Sequence, residues 1–311
     1  MTDQEPMVTI GMAVYNGAAY LPETLASISN QTYRNIEIVI VDDFSNDNSY
    51  EICLNWASIS RFPVSVIKNT LNLGLTKTCN IILNKAVGKY FQLFGQDDIM
   101  MPQKIENDVL LFEKENGNVA VIYSDLILIN EKGEKFGNGY FERIGFSGLQ
   151  EEDVFIELIN KNFVPAPSVM VRADLIKKEG GFDEALQFED WDMWLRLAKE
   201  YEFVFSDVKN VCYRIHNSSM MANRNKEQTI LRNKANMKMF EKHLGVNEKY
   251  DEALYKKLKE LSVYSYFLGD KDSPKILGNY LKKKFDSKIW FYHKMAFLGI
   301  KHSSAWFKKK V

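Results

Sequence analysis

Tyr90-Phe91-Gln92-Leu93-Phe94-Gly95-Gln96-Asp97-Asp98 joins an apolar run to two adjacent carboxylates. The run reads as a buried strand. Carboxylates at its exit are costly unless they are charge-paired, hydrogen-bonded or metal-bound. At a strand end in an open α/β sheet they stand where ligands bind. A hard divalent cation holding a diphosphate is the partner that suits them best. An Asp-rich turn capping a helix that starts near Pro102 is the competing role.

Working outward, strands and helices alternate on the N-terminal side. Val8 to Val14, Ile36 to Val41 and Val64 to Ile67 read as further buried strands. Helices are expected over about 21–30, from Asp47 to about Trp56, and over 76–85. This alternation predicts a mainly parallel sheet with right-handed crossovers. Beyond residue 100 the order becomes mixed. Val119 to Ile129 reads as one long strand followed by a turn at 130–133. Residues 137–148 read as a mobile glycine- and aromatic-rich loop, 169–171 as a short strand and 191–199 as a helix. Residues 203–205 and 211–215 are expected to close the sheet. From about Asn225 the pattern is helical and lysine-rich.

Composition narrows the classes. With 311 residues, 46% hydrophobic and 26% charged, the chain reads as an ordinary globular protein. No run approaches the roughly 20 apolar residues of a membrane span. The polar start, Met1 to Pro6, does not read as a secretory signal. Cys53, Cys79 and Cys212 are scattered, and Cys79 and Cys212 read as buried free thiols of a reducing compartment; no Cys/His cluster suggests zinc. Charge is asymmetric: residues 271–311 carry eleven lysines against two aspartates, leaving residues 1–270 at −10. The acidic body argues against a nucleic-acid surface.

Tyr15-Asn16, Asp42-Asp43 and Gln96-Asp97-Asp98 all follow strands of the expected parallel sheet, so their positions share one edge. The first strand–helix turn lacks G-x-G-x-x-G, and no P-loop is present, which disfavours a Rossmann dehydrogenase and a P-loop enzyme. A metal on Asp97 and Asp98 is the remaining way to hold phosphate.

Val8–Asn16, Val39-Ile40-Val41-Asp42-Asp43-Phe44-Ser45-Asn46-Asp47, Asn72-Leu73-Gly74-Leu75 with Asn80, Gly95–Asp98, Phe188–Leu197 and Tyr213-Arg214-Ile215-His216 together resemble family 2 glycosyltransferases of GT-A fold, in order over about residues 7–220. The resemblance implies a GT-A catalytic domain at 1–222, with a nucleotide-sugar half at about 1–100 and an acceptor half at about 101–222. A helical, lysine- and aromatic-rich extension follows at 223–311. It implies that Ala13 and Tyr15 line the nucleotide pocket, with the Tyr15 ring against the base; that Asp42 accepts a hydrogen bond from the base; and that Asn72 completes the pocket. Asp97 would lie by ribose and metal, Asp98 would ligate Mn2+ or Mg2+, and His216 would complete the coordination or touch the diphosphate. Asp190 would be the general base, with Glu189 and Asp192 as rival carboxylates, and Glu189 and Trp191 would lie toward the acceptor. Asp43 and Asp47 are expected to cap the next helix. Arg214 is expected on the same side as His216, pairing with phosphate or an acidic ligand. Gly95 stands where many members carry Asp.

The expected function is inverting, metal-dependent transfer of a sugar from a UDP-linked donor to a hydroxyl of a glycan or polyprenyl-linked glycan in bacterial-type surface polysaccharide assembly. The alternatives are a sugar nucleotidylyltransferase and a catalytically degenerate glycan-binding module. The lysine- and aromatic-rich stretch 274–311 fits either an anionic membrane surface, with a cytoplasmic and peripheral location, or packing on the body.

Overall fold

The computed structural model describes residues 5–115, 117–149, 153–186, 188–217, 225–270, 272, 273, 290 and 294. Two compact units are present, Met1–His216 and Asn217–Val311.

The first unit opens with β1 (Val8–Val14), α1 (Leu21–Ser29), β2 (Ile36–Asp42), α2 (Ser49–Ile59), β3 (Val64–Lys68), α3 (Leu75–Lys85) and β4 (Tyr90–Leu93). These four strands are mutually parallel, in the order β3-β2-β1-β4. Register aligns Val14 with Asp42 and Asp42 with Lys68, so the carboxyl ends of three strands meet at one edge. Apart from Thr9, Glu37 and the terminal Asp42, β1 and β2 carry apolar residues or glycine on both faces, because helices cover both sides, the pattern of a parallel sheet. Val8, Ile10 and Met12 are fully buried in one core with Leu21, Leu25 and Ile28 of α1. Each such side chain contributes about 1.5–3 kcal/mol by leaving water.

The chain continues through β5 (Ile99–Met100), α4 (Lys104–Lys114), β6 (Val119–Ser124), β7 (Ile127–Ile129), α5 (Tyr140–Ile144), α6 (Val154–Asn160), β8 (Met170–Arg172), α7 (Ala173–Lys178), α8 (Asp190–Leu197), β9 (Glu202–Ser206) and β10 (Val211–Arg214). β8 pairs antiparallel with β4 and β6, and β9 adds parallel to β6, completing a seven-stranded sheet. A separate three-stranded sheet has the order β5-β10-β7.

Three expectations need correction. Residues 119–129 form two strands in two different sheets. The break is at Asp125, whose Oδ1 accepts from the Leu126 and Phe141 amides and whose Oδ2 pairs with Lys209. Residues 211–214 do not close the main sheet but form the centre of the small one. Residues 137–148 contain α5 and are packed rather than open: Phe146 stacks on Phe163 with centroids 4.5 Å apart, and Phe141 packs edge-on against Phe146. Apolar periodicity reports burial but not which sheet a strand joins.

In the second unit α9 (Lys226–Lys242) and α10 (Glu248–Phe267) are capped by Asn225 and Asn247, whose side chains accept from the Gln228 and Tyr250 amides. Met237, Phe240, Leu254 and Leu258 are buried, and Asn233 donates to Ser265 Oγ at 3.0 Å. Apart from residues 290 and 294, the stretch 274–311 lies outside the described residues. Among the described residues no helix is long and apolar enough to cross a membrane.

Candidate functional site

The site is built where β1, β2 and β4 end. After β1, the Tyr15 amide donates to Gln96 Oε1 at 2.9 Å, and Gln96 Nε2 donates back to the Tyr15 carbonyl at 3.0 Å. A Cβ on Gly17 would lie 2.2 Å from Gln96 Oε1, so a side chain there would displace the Gln96 amide from its bonds to Tyr15. Thr24 of α1 donates its hydroxyl to the carbonyls of Gln96 and Asp98. Gln96, the residue between the glycine and the two aspartates, therefore staples the first loop to the acidic turn. No spacing rule singles it out.

Asp97 and Asp98 do not cap α4: β5 intervenes, and α4 begins at Lys104 without a side-chain cap. They diverge in role. Asp98 is buried, and its Oδ1 accepts from the Arg214 amide at 2.9 Å. Burial, and then the charge of Asp97, push its carboxyl well above the usual range, against the Arg214 amide and guanidinium. Asp97 keeps a partly exposed carboxylate whose Oδ2 lies 2.8 Å from His216 Nε2. A Cβ on Gly95 would meet Asp98 Oδ2 at 2.8 Å and Asp97 Oδ1 at 3.0 Å. Both carboxylates thus border the space a side chain at position 95 would need, and glycine leaves that space to them.

Arg214 organises this corner from within. Its side chain is almost fully buried, yet Nε donates to the Asp97 carbonyl at 2.9 Å, one terminal nitrogen to the Asn130 and Glu131 carbonyls, and the other to Glu23 at 2.5 Å. Its guanidinium stacks 4.8 Å from the Tyr20 ring centroid, and Tyr20 in turn lies 4.8 Å from His216. The acidic partner expected for Arg214 is Glu23, and its other bonds go to backbone carbonyls.

On the nucleotide side, Tyr15 is half-exposed and Ala13 partly buried. Asp42 is fully buried; Oδ1 accepts from the Ser45 amide, and Oδ2 has no hydrogen-bond partner among the described residues. Asp43 does not cap α2. Its carboxylate accepts from Asn69 Nδ2 and from the Leu73 and Gly74 amides, each at 2.8 Å, clamping the β3–α3 loop that carries Asn72. Asn72 is exposed and accepts from the Gly74 amide. Asp47 accepts from the Ser49 amide and hydroxyl and from the Ala18 amide, so it serves α2 and the first loop together.

Asp190 is the first residue of α8, where the helix dipole favours an anion. Its Oδ1 accepts from the Trp191 amide at 2.7 Å and its Oδ2 from Asn162 Nδ2 at 2.9 Å. Burial raises its pKa, with those two bonds opposing. Glu189 is pushed up to about 8, first by burial and then by the charge of Asp190. Both carboxylates border a small cavity with Leu93, Ala166, Phe182 and Trp194. Asp192 is buried against Arg196, which also donates to the Glu179 and Gly181 carbonyls. It is part of the scaffold. Trp191 donates its indole N–H to the Leu158 carbonyl, which fixes its ring. Asn162, the partner of Asp190, lies in no recognisable motif.

Leu93, the last residue of the strand that leads into Asp97 and Asp98, lines the same small cavity as Asp190. The Tyr213 phenol is raised by burial and then by Asp98, Asp97, Tyr140 and Asp190, and it meets the Tyr140 ring edge-on at 6.2 Å. Among the described residues no set of three or more His, Cys, Asp or Glu side chains forms a ready metal cage. Asp97 and Asp98 are the carboxylates that could take part in holding an ion of the Mg2+ or Mn2+ type, since such ions take one or two carboxylates and complete their shell with phosphate oxygens and water.

Known proteins share the family and the fold. Residues 9–178 match the profile of Glycosyl transferase family 2. An uncharacterized glycosyltransferase of Rickettsia felis is 29% identical over 232 residues, which is 73% of this chain and 37% of that protein. One of Methanocaldococcus jannaschii is 28% identical over 228 residues, covering 73% of this chain and 77% of the relative. The chain thus spans little more than a third of the Rickettsia relative's length. The fold is similar to S. aureus TarS 1-349 in complex with UDP, with a TM-score of 0.63, 14% identity and coverage of 98% of this chain and 92% of that one. It is also similar to the mannosyltransferase PcManGT from Pyrobaculum calidifontis in complex with GDP-Man and Mn2+, with a TM-score of 0.60, 15% identity and coverage of 94% and 85%. The scaffold is therefore that of a GT-A glycosyltransferase. With more than half of its length matched by one family profile, the chain belongs to glycosyl transferase family 2.

Proposed function

We propose that this protein is an inverting, metal-dependent glycosyltransferase that moves a sugar from a nucleoside diphosphate donor, a UDP-sugar, to a hydroxyl of a glycan or lipid-linked glycan. The observation that carries this is the adjacency of two acidic centres nearly a hundred residues apart in sequence. Asp97 and Asp98 follow β4, whose last residue, Leu93, lines one small cavity with Glu189 and Asp190.

Asp190 accepts the proton of the acceptor hydroxyl as its oxygen bonds to the sugar C1 from the face opposite the leaving group. The C1–O bond to the diphosphate breaks, and its electron pair leaves with the nucleoside diphosphate. Asn162 and the Trp191 amide hold the Asp190 carboxylate in one orientation. Its raised pKa brings it toward the basicity that efficient proton removal needs. Tyr15, Ala13, Asn72 and Asp42 receive the nucleoside, and Glu189 and Trp191 face the acceptor. Asp97 and His216, with Asp98 behind them, would hold Mn2+ or Mg2+, which when bound neutralises charge on the diphosphate. Assembly of a surface polysaccharide at the inner face of the membrane belongs to the same proposal, supported by the lysine- and aromatic-rich stretch 274–311.

The test is a panel of UDP-, GDP-, dTDP- and CDP-sugars assayed for metal-dependent release of the nucleoside diphosphate, with wild type and Asp190→Asn. Turnover by wild type, at least about 10²-fold reduced in Asp190→Asn with nucleotide binding retained, is expected. Loss of nucleotide binding in Asp190→Asn would sink the base assignment. Glycan binding without turnover by wild type would point to a degenerate module.

A further inference from the structure

Among the described residues, two non-glycine positions have positive φ, Asn16 at 49° and Phe44 at 65°. Asparagine enters the left-handed region readily; a bulky aromatic residue there is a strained outlier. The two residues lie in facing loops at the ends of β1 and β2, and the loops lock each other. The Asn16 amide donates to Ser45 Oγ at 3.0 Å, and the Asn46 amide donates to Asn16 Oδ1 at 2.9 Å. The Asp43 amide donates to the Val14 carbonyl at 2.7 Å, and the Ser45 amide to Asp42 Oδ1 at 3.0 Å. The backbone of Phe44 is therefore pinned on both sides.

Burial does not offset that strain, because the Phe44 side chain remains 44% exposed, as does Tyr15 at the end of the adjacent strand. Glycine would take this conformation without a steric penalty. Asp42, two residues before Phe44, is buried and keeps one carboxylate oxygen without a hydrogen-bond partner among the described residues. A strained, solvent-facing ring at a ligand-binding strand end is a feature from which function can be inferred.

We infer that Phe44 is a specificity-determining contact for the donor nucleobase, supplying a second aromatic face beside Tyr15. This rests on the donor-site reading above. Aromatic faces hold bases by stacking and by excluding water, and the strength of the contact varies with the base.

The experiment is calorimetric titration of the full chain with UDP, GDP, dTDP, CDP and ADP in the presence of Mn2+, using wild type, Phe44→Gly, Phe44→Leu, Phe44→Tyr and Tyr15→Ala. Phe44→Gly and Phe44→Leu should weaken the best-bound nucleotide about tenfold and narrow the spread of affinities across the five bases. Phe44→Tyr should stay within about twofold of wild type. The thermal midpoint of Phe44→Gly should not fall, because the left-handed backbone is relaxed. Unchanged affinity in both the Gly and Leu variants, with Tyr15→Ala weakened, would overturn the inference alone. So would a uniform loss across all bases, which marks a purely structural residue. Failure of wild type to bind any of the five would overturn the donor-site reading itself.

Discussion

Replacing Arg214 with Met should unfold the first unit far more easily than neutralising its ion-pair partner. The side chain of Arg214 is 1% exposed and that of Glu23 is 53% exposed. Removing the arginine leaves the carbonyls of Asp97, Asn130 and Glu131 without the donors that reach them at 2.9, 3.2 and 3.3 Å. At about 1 kcal/mol for each lost buried hydrogen bond, the cost is about 3 kcal/mol. Glu23 is itself half-exposed, and glutamine there keeps an oxygen for Arg214 to donate to, so Glu23→Gln costs about 1 kcal/mol. For a unit of this size each kcal/mol moves the thermal midpoint by about 2–4 °C. Arg214→Met should therefore lower it by about 6–12 °C and Glu23→Gln by less than about 4 °C, read by differential scanning calorimetry. Arg214→Lys should fall between, because one ammonium cannot reproduce a planar fork that serves four oxygens. Equal losses in Arg214→Met and Glu23→Gln would refute the reasoning, since they would assign the arginine's value to the exposed pair rather than to the carbonyls.

Glu189 makes stability depend on pH. Its pKa rises from 4.5 to about 8 on folding, so the folded state binds the extra proton and stability falls as pH rises through that window. Glu189→Gln removes the slope and should gain on wild type steadily between about pH 5 and about pH 8 in thermal unfolding; a constant difference across that range would contradict the assignment. Deleting residues 274–311 should reduce co-sedimentation with anionic liposomes, as expected of a lysine- and aromatic-rich segment. Unchanged sedimentation would leave packing as its role.

The alternation of apolar runs with helical segments was readable because a strand covered on both faces must be apolar on both faces, as Val8–Val14 and Ile36–Val41 are apart from Thr9 and Glu37. The three acidic or polar strand ends could be assigned to one edge for the same reason: parallel strands all finish on the same side. Local pattern suggests a helix cap at Asp43, but its three partners, Asn69, Leu73 and Gly74, lie 26 to 31 residues further along. Local capping patterns carry no information about them. The break at Asp125 was invisible to periodicity, since Val119–Ser124 and Ile127–Ile129 are equally apolar and differ only in the sheet they join.

By itself the sequence determined the class of the scaffold, the sheet edge that gathers the polar strand ends, and Asp97, Asp98, Asp190 and His216 as candidates. Those follow from short-range patterns of polarity and from motif order. Only the tertiary structure separated Asp97, which faces His216 and solvent, from Asp98, which is turned inward to the Arg214 amide. It alone supplied Asn162 to Asp190, Gln96 to Tyr15 and Glu23 to Arg214. These pairs join residues 28, 81 and 191 positions apart. A carboxylate's role depends on its solvation and hydrogen-bond partners, and the packing of distant segments decides both.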